Sequence, residues 1–287
     1  MEQIKFSVAI SVYKNDKSQY FKRAMDSITI DQTVSPSEII LVVDGPVSGE
    51  IDKTIKYYEQ KIPHLCVIRL EENVGLGEAL RVAVEHCSYE WIARMDSDDI
   101  SLPDRFEQQI SYIRNHPKVS IVGGDIVEFI GQEGHIVGQR CVPEKDIEIR
   151  EYMKKRCALN HVSVMYRKDA VLAAGGYLSW YYNEDYYLWI RMWMQGAIFG
   201  NTGTVLVNVR VGDKMYQRRG SRRYYESEKA LQLYMMTHNV INRRQYIGNI
   251  FKRWIVQVLL PNQIRGWAFQ KFARNRKKVK MEVNEKN

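Results

Sequence analysis

Long apolar runs are missing from this chain of 287 residues. No stretch approaches the roughly 20 consecutive apolar residues of a spanning helix, so no segment integral to a membrane is expected. Cysteine is scarce. Cys66, Cys87, Cys141 and Cys157 form no CxxC pair and have no metal-ligand spacing, which argues against a structural zinc site or a disulfide framework. Reduced, partly buried thiols of a cytosolic protein are the expectation. The opening Met1-Glu2-Gln3-Ile4-Lys5 leads straight into a strand, and no signal peptide is expected. There is no internal repeat. No nucleic-acid-binding motif is recognisable either, so no nucleic-acid partner is expected.

What is present is a core-forming chain with a lopsided charge. Apolar residues make up 45% of it, enough for one large domain, or a domain plus an appendage. The 18 Tyr and 6 Trp are residues that often line sugar clefts, although ordinary packing uses them too. Residues 214–287 hold 18 Lys/Arg against 4 Glu, a net +14, whereas 1–213 hold 24 basic and 30 acidic residues, a net −6. An acidic body with a basic tail speaks of partners, not of fold. It divides the chain into a domain over 1–213, with halves of about 1–123 and 124–213, and an extension over 214–287.

Short β-rich runs alternate with helical patterns along the first half. Strands are expected at 6–12, 38–43, 65–70, 91–95 and 119–123, with helices at 18–30, 52–61, 77–87 and 103–115. That alternation predicts a mainly parallel, mixed sheet flanked by helices. Beyond about residue 140 it weakens: helices are expected at 146–155, 169–174 and 183–195, with a strand at 161–166. In parallel sheets ligands gather at the carboxyl ends of strands. Those ends carry Ser11-Val12-Tyr13, Asp44-Gly45, Glu72-Asn73 and Asp96-Ser97-Asp98-Asp99. Three of the four hold carboxylates that a simple turn does not require.

Three aspartates within four residues repel one another, and Asp96-x-Asp98 after a buried strand suits a hard divalent cation with oxygen ligands. A turn with a helix cap before Pro103 is the simpler alternative. Further on, Asn183-Glu184-Asp185-Tyr186 opens a helix. Acids there suit the helix dipole, which accounts for either carboxylate but not for the flanking Tyr182, Tyr186 and Trp189, a set fit for a sugar platform.

Taken together, SVAISVYKND, IILVVDGP, ENVGLGEALRVAVEHCSYEWIARMDSDDISLPDRFEQQI and GGY…NEDYYLWIRM, in this order, resemble the family 2 glycosyltransferases of GT-A fold over about 6–219. Within that family the nearest likeness is to bacterial enzymes of O-antigen, capsule or exopolysaccharide synthesis, amylovoran-type transferases among them. The resemblance implies an inverting transfer of a hexose from a UDP-sugar of the UDP-Glc/UDP-Gal type, with Mn²⁺ or Mg²⁺, to an undecaprenyl-diphosphate-linked saccharide. It places Ser11, Val12 and Tyr13 at the nucleobase and ribose, with Tyr13 stacked on uracil and Asp44 accepting from its N3–H. Asn73, Gly75 and Arg81 fall near the base and Ser97 at the nucleotide-sugar. Asp98 ligates the metal, Asp96 the metal or ribose, and Asp99 serves the turn or sugar hydroxyls. Asp185 is the general base, with Glu184 the alternative. His161 and Trp189 lie on the acceptor side, Gly176 of the Gly175-Gly176 turn shapes the donor-sugar pocket, and Arg218 or Arg219 of a basic loop pairs with phosphate.

In the tail, Ile247, Ile250, Phe251, Trp254, Ile255 and Val258 recur at helical spacing, with Asn249, Lys252, Arg253 and Gln257 opposite. A second segment after Pro261 sets Ile264, Trp267 and Phe272 beside six basic residues. Such a pattern suits helices lying on an anionic membrane; a helix packed on the domain with its basic face in water is the alternative. A protein at the inner face of the cell membrane is the expectation. Two other classes share part of the pattern. A sugar-phosphate nucleotidylyltransferase needs a Gly-rich basic loop after the first strand, which Tyr13-Lys14-Asn15-Asp16 lacks. A non-catalytic nucleotide-sugar-binding protein finds little support, since the metal position Asp98 and the base position Asp185 are both filled.

Overall fold

The structure, a computed structural model, describes residues 4–212 and 221–259. Its frame is a nine-stranded sheet ordered β3-β2-β1-β4-β8-β6-β9-β5, with β7 also on β6. The first half follows the sequence pattern. β1 (Phe6–Tyr13), β2 (Glu38–Asp44), β3 (Leu65–Arg69) and β4 (Trp91–Met95) pair in parallel. They alternate with α1 (Ser18–Ile28), α2 (Gly49–Lys61) and α3 (Leu76–His86).

Side-chain alternation sorts these strands onto two cores. Ala9, Ile40, Val42 and Ile92 pack with α3 and with Leu188, Ile190 and Met192. Val8, Ile10, Leu41, Val43 and Ala93 point the other way, against Phe21 and Met25 of α1, Ile51 and Ile55 of α2, and Phe106 and Ile110. Because both faces are covered, β1, β2 and β4 are almost continuously apolar. The chain runs outward from β1 to β3, then returns to place β4 on the other side of β1. That reversal opens a crevice at the carboxyl ends of β1 and β4.

The second half is mixed. β5 (Ile100–Ser101) and α4 (Arg105–Asn115) lead to β6 (Ile121–Phe129), which runs further than the predicted 119–123, and to β7 (Ile136–Arg140). After α5 (Asp146–Met153) come β8 (Met165–Arg167), α6 (Lys168–Ala173), α7 (Glu184–Met194) and β9 (Phe199–Arg210). β8 is antiparallel to β4 and β6, whereas β9 is parallel to β6.

The strand expected at 161–166 is corrected. His161–Ser163 form a 3₁₀ turn, and only Met165–Arg167 is strand. Polar side chains compete with the ladder: Ser163 Oγ donates to Gly124 O at 3.0 Å and Asn160 Nδ2 to the same oxygen at 2.8 Å.

Past the second undescribed segment, α8 (Arg222–Thr237) starts at Ser221, whose hydroxyl accepts from Tyr224 N at 3.1 Å. α9 (Arg243–Trp254) starts with a capping box between Asn242 and Gln245. Leu231, Met235 and Ile241 are buried in the same core as α3 and α7, so the region beyond 213 begins as part of the domain. No described helix is long and apolar enough to cross a membrane.

Candidate active site

At the carboxyl ends of β1, β2 and β4 lies a cavity of about 700 Å³, lined by Ser11, Tyr13, Asp44, Asn73, Gly75, Asp96, Ser97 and Asp98 among others. One wall is organised by Asp44. Its Oδ1 accepts from Val74 N at 2.7 Å, and its Oδ2 from Asn73 Nδ2 at 2.9 Å and Gly75 N at 3.1 Å. These bonds hold the 73–75 loop at the start of α3. Gly45 allows the approach: a Cβ there would stand 2.6 Å from Asn73 N, and its φ is +78°. Asp44 is therefore a loop anchor, with three of its roughly four acceptor positions already used. Tyr13, 38% exposed, also lines the cavity.

The opposite wall is acidic. Asp16 joins Asp96, Ser97 and Asp98 there, receiving Ser97 Oγ at 2.7 Å and Tyr13 N at 3.0 Å. Burial raises its pKa, and Asp96 adds to the rise. Burial, then Asp96 and Asp16, pushes the Asp98 carboxyl up to about 7. Asp99 is fully enclosed and is likewise raised, by burial and then by Asp98, while its Oδ1 accepts from Arg210 N at 2.7 Å. It therefore braces the turn against β9.

Two arginines partly offset this charge. Buried Arg94 pairs with Asp96. Arg210 donates from Nε to Asp98 O at 3.1 Å and lies 3.8 Å from the Tyr20 ring centroid. Arg105, wholly buried, donates to Arg94 O at 2.7 Å and Val164 O at 3.3 Å, tying the end of β4 to the turn before β8. Among the described residues, no three His, Cys, Asp or Glu groups converge as a metal cage. The donor chemistry nonetheless fits a hard cation. Asp98 and Asp96 are crowded carboxylates at a cavity wall, and a cation shared with a diphosphate needs only one or two protein carboxylates.

The acids of α7 are not among the residues lining the cavity, but Glu184 stands against the start of α3. Glu184 Cγ lies 3.2 Å from where a Cβ on Gly77 would be, which puts it across the start of α3. Burial, followed by the neighbouring Asp185 charge, pushes Glu184 up to about 7. Asp185 Oδ2 lies 4.0 Å from Cys157 Sγ. Tyr182, two residues before Glu184, lines the cavity and has φ +55°. His161 Nε2 lies 2.8 Å from Tyr177 OH, and burial with nearby Arg94 holds the imidazole well below its usual pKa. It is neutral at physiological pH.

Several expected residues stand elsewhere. Trp189 is fully buried, its ring edge-on to His161 with centroids 6.0 Å apart, so it cannot be a sugar platform. Tyr186 is buried as well, its hydroxyl donating to Met153 O. The Val12 side chain is 1% exposed and belongs to the core. Arg81 faces outward in ion pairs with Glu78 and Glu85, away from the cavity. Gly176, at φ +66°, accepts from Arg191 Nη2 at 2.8 Å and is not among the residues lining the cavity. Arg218 and Arg219 lie outside the described residues. The sequence reading missed Asp16, Tyr20, Arg94 and Arg210. Asp16 followed a strand end by three residues and carried a signal; Arg210 sits on a strand that the pattern did not reveal.

Sheet order and acidic turn together define a glycosyltransferase of GT-A fold. The chain belongs to the glycosyl transferase family 2, which it matches over residues 7–173. It is 38% identical over 231 residues to the amylovoran biosynthesis glycosyltransferase AmsE of Erwinia amylovora, covering 80% of this chain and 85% of that one. It is 33% identical over 270 residues to the Escherichia coli UDP-Gal:alpha-D-GlcNAc-diphosphoundecaprenol beta-1,3-galactosyltransferase, covering 94% and 97%. In fold it resembles the mannosyltransferase PcManGT of Pyrobaculum calidifontis, solved with GDP-Man and Mn²⁺, with a TM-score of 0.60 at 12% identity, covering 94% of this chain and 81% of that one.

Proposed function

We propose that the protein transfers a hexose, with inversion, from a UDP-sugar to a hydroxyl of a lipid-linked saccharide in the synthesis of a bacterial surface polysaccharide. One observation carries the reading: a single cavity brings Tyr13 and the Asp44-braced loop together with Asp96 and Asp98. An aromatic face suits a nucleobase, and crowded carboxylates suit the cation of a diphosphate. The galactosyltransferase relative, similar over nearly its whole length, supports both the donor class and the undecaprenyl-diphosphate type of acceptor.

In this reading the uracil stacks on Tyr13, with the 73–75 loop beside it. Asp98, with Asp96, would hold Mn²⁺ or Mg²⁺, and the bound ion would neutralise charge building on the departing diphosphate. The acceptor hydroxyl attacks the anomeric carbon from the side away from the diphosphate. The new C–O bond forms as the bond to the phosphate oxygen breaks, UDP leaves, and the hydroxyl proton passes to Asp185. Glu184, held close to its midpoint at neutral pH, keeps the pair from carrying two full charges. His161 offers a neutral hydrogen-bonding group on the acceptor side.

The test is a donor screen with purified protein, Mn²⁺ and synthetic lipid-diphosphate sugars. Asp98→Ala is expected to abolish metal-dependent turnover of UDP-sugars. Asp185→Asn is expected to keep donor binding and to lose transfer by roughly 10²–10⁴-fold, the usual contribution of a general base. Normal transfer by Asp185→Asn would remove the base assignment. No UDP-sugar binding by the wild type would remove the whole reading.

A further inference from the structure

Helix α9 is amphipathic inside out. Its polar residues face the domain: Asn249 Nδ2 donates to Lys154 O and to Gln232 Oε1, both at 2.8 Å. Arg253 pairs through Nε with Glu228 Oε2 at 2.8 Å and donates to Lys155 O at 2.7 Å. One turn on, Gln257 Nε2 donates to the same Glu228 oxygen at 2.6 Å. Four apolar residues, the last just past α9, point away. Ile247 is 56% exposed, Phe251 59%, Trp254 40% and Val258 41%. Positions 247, 251, 254 and 258 make one helical stripe, and Arg243, Arg244 and Lys252 are exposed on the same helix. The hydrogen bonds at 249, 253 and 257 fix which face is outward.

We propose that this stripe seats the protein on an anionic lipid surface, an inference that builds on the lipid-linked acceptor proposed above. Charge selects the occupant. Residues 214–287 carry 18 Lys/Arg and 4 Glu, so a second copy docked on this face would bring like charges together, whereas an anionic bilayer would attract them. Aromatic and aliphatic side chains flanked by basic ones match the interfacial zone of such a bilayer. Seated this way, the domain stays fixed at the surface where a lipid-linked saccharide lies.

The test uses the full chain and sedimentation with phosphatidylcholine vesicles, with and without phosphatidylglycerol. Wild type is expected to bind the anionic vesicles and to release as salt rises. The triple variant Ile247→Ser, Phe251→Ser, Trp254→Ser is expected to bind them at least tenfold more weakly. Its thermal unfolding and its affinity for UDP-sugar should be unchanged, because the three side chains point outward. The charge variant Arg243→Glu, Arg244→Glu, Lys252→Glu should lose binding to anionic vesicles as well. Wild-type affinity for anionic vesicles in the triple variant overturns the proposal. So does a wild-type dimer that the triple variant dissolves while vesicle binding persists, which would assign the stripe to a second copy. UDP-sugar binding by calorimetry on the same preparations separates the readings, since its absence from the wild type would count against the transferase chemistry and leave the vesicle result standing.

Discussion

Glu184 and Asp185 are neighbours in sequence but are set apart by their surroundings. Glu184 lies across the start of α3, partly buried, with its pKa pushed up to about 7. An ordinary glutamate titrates near 4.3. Between those values the unfolded chain has released the proton while the folded protein still holds it. Stability must then fall as pH rises through that window, because the unfolded state binds fewer protons. Glu184→Gln removes this titration and keeps the side-chain size. The variant should gain stability relative to wild type as pH climbs from about 4.3 to about 7 and hold that gain above it. Melting temperatures of the two proteins measured across the window check this; parallel curves would mean that Glu184 is not perturbed. Asp98 and Asp99 are also raised, but they titrate in both proteins and cancel from the difference.

At the scale of elements, Gly45 and the 73–75 loop decide the shape of one wall of the cavity. Gly45→Ala would place a methyl carbon against Asn73 N at a positive φ. The backbone there cannot give way without breaking the bonds to Asp44. A loss of about 1–3 kcal/mol of stability is expected, the range for strained backbone positions, together with weaker UDP-sugar binding; urea unfolding and donor titration measure the two. Much of this wall was legible in the sequence. Ser11, Tyr13, Asp44, Asn73, Gly75 and Asp96–Asp98 follow short apolar strands, where a parallel sheet collects its ligands. β9 was not legible, because Asn201, Thr202 and Gly203 interrupt the apolar pattern of FGNTGTVLVNVR, and Arg210 was hidden with it. Trp189 misled for another reason. Which side of a helix faces inward depends on partners far away in sequence: Trp189 meets His161 and Tyr166, and Arg253 meets Glu228. Periodicity shows that a helix has two faces without saying which one is inside.

For the molecule as a whole, the charge boundary near residue 213 is not a boundary of the core. Leu231 is 1% exposed, Met235 0% and Ile241 3%, all packed with residues of α3 and α7. α8 also braces the approach to the α7 acids: Trp180 Nε1 donates to Ser227 O at 3.2 Å, and Ser227 Oγ donates to Tyr181 O at 2.7 Å. Fully burying one large apolar side chain contributes roughly 1.5–3 kcal/mol, so losing these three would remove about 5–9 kcal/mol by that measure. A domain's whole stability is about 5–15 kcal/mol. A fragment ending at residue 213 is therefore expected to lack cooperative unfolding and to bind no donor, although it contains the entire match to the family. Near-ultraviolet circular dichroism during heating, with UDP-sugar titration, tests this. A fragment that melts cooperatively within a few degrees of the full chain would make the basic region an appendage, and would detach α8 and α9 from the support of the α7 acids.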